Sequence, residues 1–151
     1  MCYWKYPGNV ERVRNNDEKN VIAISKAMFK ARGDKEKLGC LIRDYGKPGG
    51  LFGVQVRTAS ALLALTDPEN YGVFDFRVWN LLEEYHVNGF GVHKDREDYF
   101  SVSNYISYLE LLRRWRERFD ESLNITIRAV ERTLYREALL NRYRELNKVV
   151  H

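Results

Sequence analysis

The chain has little cysteine, little proline and little excess charge of either sign. Cys2 and Cys40 are the only two cysteines in 151 residues, and no CxxC or Cys/His cluster surrounds them. That speaks against a disulfide framework and against a structural zinc site, and the thiols read as those of a reducing compartment. Three prolines and ten glycines are too few for a disordered or collagen-like chain. The opening residues MCYWKYPGN lack the apolar stretch of a secretory leader. No run approaches the roughly 20 apolar residues of a membrane span. A soluble intracellular protein is expected, cytoplasmic or lying with the chromosome. The triplet Asn124-Ile125-Thr126 then reads as a chance glycosylation match. His93, Asp95, Glu97 and Asp98 share a loop, but their spacing fits no standard metal site. No metal and no cofactor are expected. Neither strand-type alternation nor an internal repeat is present, and nothing divides the chain into two domains.

What is present is helical. Hydrophobic residues make up 44% of the chain, enough for a core at this length. Periodicity predicts a helix over 17–31, capped by Asp17, carrying Val21, Ile22, Ile24, Met28 and Phe29 and stopped by Gly33. A short helix from Asp34 to Gly46 buries Leu38, Leu41 and Ile42. After the Lys47-Pro48-Gly49-Gly50 break, a third helix over 54–65 presents Thr58, Ala61, Leu62 and Leu65. The turn Asp67-Pro68-Glu69-Asn70 leads to a fourth helix over 75–85, with Val78, Trp79, Leu82 and Tyr85 inward. Two long helices close the chain, over 103–119 and 122–149. The first buries Ile106, Leu109, Leu112 and Trp115, and the second Ile127, Val130, Leu134, Ala138 and Leu139. The expected fold is all-α: one domain spanning 1–151, a compact bundle of about six helices.

The most informative stretch is GLFGVQVRTASALLALTDPENYGVFDFRVW, residues 50–79. A glycine hairpin between two helices, then an aspartate in a Val-Phe-Asp-Phe-Arg-Val-Trp context, resembles the helix-hairpin-helix DNA glycosylase superfamily. The likeness is particularly to its 8-oxoguanine DNA glycosylase branch. Leu51, Gly53, Val54, Thr58 and Ala59 match the hairpin and the helix it opens. Val73, Asp75, Arg77 and Trp79 match the aspartate motif. The segments 105–112 and 127–135 are similar in general character to the last helices of compact 8-oxoguanine glycosylase-like proteins.

The resemblance implies a helix-hairpin-helix motif and double-stranded DNA as partner. It also implies base-excision chemistry at Asp75. Glycines such as Gly50 and Gly53 let backbone N–H groups, with that of Val54, approach a phosphate, and Lys47, Arg57 and Arg77 would add charge. Breaking an N-glycosidic bond builds positive charge on the sugar, which a nearby carboxylate stabilises. The target nucleotide must first leave the base stack. Three departures from the family pattern matter. Phe52 stands at the usual hairpin proline and Gln55 at the usual second glycine. Arg57 stands where the bifunctional enzymes carry a lysine nucleophile. An arginine stays protonated and forms no Schiff base, so hydrolysis without lyase chemistry is expected. Two alternatives stand beside this reading: a non-catalytic DNA binder on the same fold, and a helical protein-interaction module.

Other residues have plainer readings. Asp75 immediately precedes an apolar helix and serves as its N-cap at about 1 kcal/mol, a role compatible with lining a site. Trp79 reads as core. Arg113, Arg114, Arg116 and Arg118 are interspersed with Glu110, Glu117, Asp120 and Glu121 and read as a salt-bridged solvent face. Arg128, Arg132 and Arg136 share one helical face, at a spacing that can follow a phosphate backbone. Tyr3 and Trp4 are candidates for a nucleobase pocket or for pinning the N-terminus to the core.

Overall fold

The structure, a computed structural model, describes residues 10–43, 49–84, 100–119 and 123–149. Among these lie seven helices: α1 (Val10–Arg14), α2 (Glu18–Lys30), α3 (Asp34–Leu41), α4 (Val56–Thr66), α5 (Phe76–Glu84), α6 (Val102–Arg116) and α7 (Ile127–Val149). The all-α expectation holds: the described residues contain no strand, only an isolated bridge between Ile42 and Leu51. Helices α3, α4 and α6 pack on one another, α2 lies on α3, and α7 closes over α5 and α6. No described helix is long and apolar enough to cross a membrane.

Local chemistry sets several helix starts. Asp17 caps α2 by accepting the Asn20 N–H at 2.8 Å. Ser101 does the same for α6 through Asn104 at 3.1 Å. Thr126 accepts the Ala129 N–H at 3.0 Å, so α7 begins at Ile127 rather than at 122. Each cap satisfies a donor that the first helical turn leaves open, worth about 1 kcal/mol.

Several expectations are corrected. Gly33 does not stop α2; it precedes α3 in ordinary extended backbone, and Ala31 ends α2. Only Ile24 and Met28 of α2 are buried, whereas Val21, Ile22 and Phe29 face out, because α2 rests on α3 along one narrow stripe. Leu65 is 61% exposed, since α4 turns Leu63 and Ala64 inward instead. Leu139 is 37% exposed. Helix α1, too short for a periodic signal, was not expected. Gly46 and Tyr85 lie outside the described residues.

The core centres on Phe74, which is fully buried. Its ring lies 5.0 Å from Tyr108, 5.3 Å from Phe100, 5.5 Å from Tyr105 and 5.6 Å from Trp79. Tilted and edge-to-face pairs at these separations add to the gain from area burial. Trp79 is core, as expected from its place in α5. Leu38, Leu63, Val78, Leu109, Leu112 and Ile127 complete the interior. Each contributes about 1.5–3 kcal/mol by burial.

Candidate functional site

The turn after α4 delivers the chain to Tyr71, with the Asn70 and Tyr71 N–H groups on the Asp67 carbonyl. Residues 71–75 are then buried but belong to no helix. Their backbone groups still need partners, and side chains supply them. The Tyr105 hydroxyl donates to the Gly72 carbonyl at 2.9 Å, and that of Tyr108 to the Val73 carbonyl at 3.0 Å. The Phe74 N–H donates to Ser60 Oγ at 2.9 Å, and this hydroxyl donates in turn to the Arg57 carbonyl at 2.8 Å. Asp75, which ends the segment, is thereby fixed relative to the first turn of α4.

Asp75 is 5% exposed. Its Oδ1 accepts the Arg77 N–H at 2.9 Å, and its carbonyl accepts the Trp79 N–H. It is therefore the cap of α5. The Arg77 guanidinium lies 3.6 Å from the same Oδ1. Asp75 lines a cleft of about 540 Å³. Arg57 from α4 and Arg77 from α5 line this cleft, opposite Arg128, Arg132 and Arg136 from α7. Glu131, Tyr135 and Leu139 complete the α7 wall.

Five guanidinium groups here meet two carboxylates, Asp75 and Glu131, leaving a formal excess of three positive charges. Glu131 is buried and ion-paired with Arg128. Burial, and after it the nearby Arg132 guanidinium, weakens the hold of Arg128 on its proton. The Arg77 Nε–H is buried and meets no acceptor among the described residues. Aromatic faces steady two of the arginines. Arg57 lies 4.6 Å from the Phe100 ring centre, and Arg77 lies 4.5 Å from Phe76 and 5.7 Å from Tyr135. A crowded set of like charges in a concave, partly buried wall is suited to holding an anion with several oxygens.

The residues expected from sequence divide into two places. Asp75, Arg57 and Arg77 meet in the cleft. Gly50, Gly53 and Val54 do not line it; they form the turn between α3 and α4. Gly53 has φ of +76°, and a Cβ there would meet the Arg12 Cβ of α1 at 2.7 Å. Glycine is therefore needed there for packing. Three nearby amides already have partners within the chain. Leu51 N–H donates to the Leu41 carbonyl and Val54 N–H to that of Leu51. Phe52 N–H donates to Asn16 Oδ1 at 2.7 Å, and Asn16 Nδ2 returns a bond to the Phe52 carbonyl at 2.9 Å. Lys47, Tyr3 and Trp4 lie outside the described residues, as do His93, Asp95, Glu97 and Asp98. Among the described residues no group of acidic, histidine or cysteine side chains is placed to hold a metal.

The shared face of Arg128, Arg132 and Arg136 does turn toward Asp75. Sequence reasoning missed Glu131 and Tyr135, although both sit within that same periodic face. Arg113 and Arg116 of α6 have a different task from the expected solvent face, on which Arg114 and Arg118 do stand. Arg113 donates to Asp34 Oδ2 at 2.8 Å, and Arg116 to the Glu69 carbonyl at 3.2 Å. Arg118 lies over the Trp115 ring. Tyr71 donates to Asp34 Oδ1 at 2.8 Å. Burial alone would raise the Asp34 carboxyl, but the Arg113 and Tyr71 hydrogen bonds outweigh it and hold it below its ordinary value. Burial and then Asp34 push the Tyr71 hydroxyl well above its usual range. This triad clamps α6 to α3 and to the start of the 71–75 segment.

Comparison of the chain with protein-family models, with curated proteins and with solved structures returns no match in any of the three.

Proposed function

We propose that the protein binds DNA in the Asp75 cleft and releases a base there by hydrolysis, in the manner of a monofunctional helix-hairpin-helix DNA glycosylase. The observation that carries this reading is one capped, buried carboxylate on the wall of a cleft lined by five arginines. The guanidinium groups hold the backbone phosphates on either side of an extruded nucleotide. The bond between the sugar C1′ and the base nitrogen breaks, and its electron pair leaves with the base. Asp75 stabilises the positive charge that grows on the sugar and orients a water. That water adds its hydroxyl to C1′, and its proton goes to the departing base. Arg57 provides no nucleophile, so no covalent adduct forms through it.

The phosphate grip assigned here differs from the one the hairpin resemblance implies. The partnered amides of Leu51, Phe52 and Val54 favour the arginine cleft over the turn. A second reading, DNA binding without catalysis, draws on the capping bond from Arg77 N–H that already occupies Asp75 Oδ1.

The test is base release. DNA carrying oxidised, deaminated or alkylated bases is incubated with protein and then heated in alkali to cut at abasic sites. Wild-type protein is expected to release a base, and Asp75→Asn to lose release while keeping DNA affinity. Asn caps about as well as Asp, so this variant should fold. Absence of release from every lesion would leave the binder. Absence of DNA affinity at low salt overturns both readings.

A further inference from the structure

Ile24 and Met28 are the buried residues of α2, and α3 is the helix it packs on. The outward side of α2 carries two parallel lines of side chains. One line is apolar: Ile22 is 46% exposed and Phe29 66%, with the exposed Val21 beside them. At 3.6 residues per turn Ile22 and Phe29 stand nearly in line, about 10 Å apart along the axis. The other line is cationic and holds Lys19, Lys26 and Lys30, all exposed. It runs for about 16 Å. Among the described residues no carboxylate is paired with any of these lysines. A single exposed apolar side chain is ordinary surface. An apolar line with unneutralised charge along one flank, sustained over three turns, has a defined complement: apolar side chains edged on one side by carboxylates.

We propose that the outward face of α2 docks an acidic amphipathic helix of a partner protein. The partner lays apolar side chains on Ile22 and Phe29 and sets carboxylates beside Lys19, Lys26 and Lys30. Attraction of opposite charges fixes its direction and register, and burial of the Phe29 ring supplies the hold. Two features favour such a helix over an anionic bilayer. The lysines stand on one flank of the apolar line, whereas a helix lying in a bilayer surface needs cations around its whole polar side. Glu18 stands one turn before Ile22 on the apolar line itself, where acyl chains would strip its water. A partner helix that ends before Glu18, or meets it with a cation, has no such cost. This face is independent of the Asp75 cleft, to which α2 contributes no residue.

The experiment uses the full chain and a labelled synthetic helix of about five turns, with a leucine stripe and glutamates along one of its flanks. A scrambled peptide of the same composition is the control, and anisotropy at low salt reads binding. The patterned peptide is expected to bind about tenfold more tightly than the scrambled one. Phe29→Ser and Lys26→Glu should each remove about that factor and leave Tm and DNA affinity at wild-type values. Arg132→Gln, in the arginine cleft, should leave peptide affinity unchanged. Equal binding of the two peptides overturns the inference, and so does wild-type peptide affinity in the α2 variants. A lower Tm in Phe29→Ser overturns it too, since the ring would then be covered within the fold. Lower DNA affinity in Lys26→Glu would assign the lysines to DNA instead. Binding to phosphatidylserine vesicles that depends on Phe29, without peptide binding, would assign the face to a bilayer. A dimer in sedimentation that Phe29→Ser dissociates would assign it to a second copy. Each of these three outcomes overturns the inference.

Discussion

The Ser60 hydroxyl accepts the backbone N–H of Phe74 at 2.9 Å, deep in the core. Because the same oxygen donates to the Arg57 carbonyl, one atom ties the first turn of α4 to the segment that ends in Asp75. Ser60→Ala leaves a buried N–H without its acceptor. The expected loss is about 1–3 kcal/mol of stability. Thermal unfolding should show it as a lower Tm. Affinity for DNA should fall as well, since Arg57 and Asp75 lose their common support.

Gly72 lies between Leu112 of α6 and Glu131 of α7. A Cβ there would stand 2.6 Å from Leu112 Cδ1 and 3.1 Å from Glu131 Cβ. Gly72→Ala should destabilise by about 1–3 kcal/mol through overpacking. Denaturant titration should show a lower midpoint at unchanged m-value. The pairing of Leu112→Ala with Gly72→Ala makes room for the added methyl, so the double variant should lose less than the sum of the two single changes.

Acid and alkali act on the Asp34–Tyr71–Arg113 clamp with opposite signs. The folded Asp34 carboxyl sits below its unfolded value of 3.8. Its contribution is therefore complete above that value and is lost as pH falls through the folded pKa. Tyr71 is displaced upward from 10.0, so the folded state favours its protonated form. That contribution is complete below 10.0 and declines as pH rises past it. Asp34→Asn should flatten the acid limb of a Tm-against-pH curve, and Tyr71→Phe should flatten the alkaline limb.

Arg132 crowds Arg128, which burial already disfavours. Arg132→Gln removes that repulsion. Tm should hold or rise, while DNA affinity falls and the slope of log K against log salt shrinks by about 0.7–0.9. Equal losses of stability and affinity would show that Arg132 serves folding instead.

The parts of this molecule legible in the sequence are those decided within one helical turn. Asp17 caps α2 because its carboxylate reaches an N–H three residues on. Arg128, Arg132 and Arg136 face one way because α7 repeats every 3.6 residues. Which face a helix buries is another matter. Leu65 and Phe29 follow a helical period yet stand exposed, because their neighbours were placed by contacts distant in sequence. The turn amides show the same limit. Phe52 and Gln55 already departed from the hairpin pattern. Asn16, which binds both polar groups of Phe52, stands far earlier in the chain, and no spacing rule links them. Likewise Glu131 reads locally as one acid among arginines, and only the close approach of α7 to α5 turns it toward Asp75.

The segment 71–75 has no ladder of repeating bonds; it hangs on hydroxyl groups from Ser60, Tyr105 and Tyr108. A helix that loses one bond frays at its end and keeps the rest. A strap pinned by single bonds from several different residues has no end to fray from, so loosening one pin loosens the others. The carboxylate of Asp75 should therefore sit in one position or in many, with few intermediate states. Substitutions at the three hydroxyls should be strongly non-additive, the first removing most of what all three remove together.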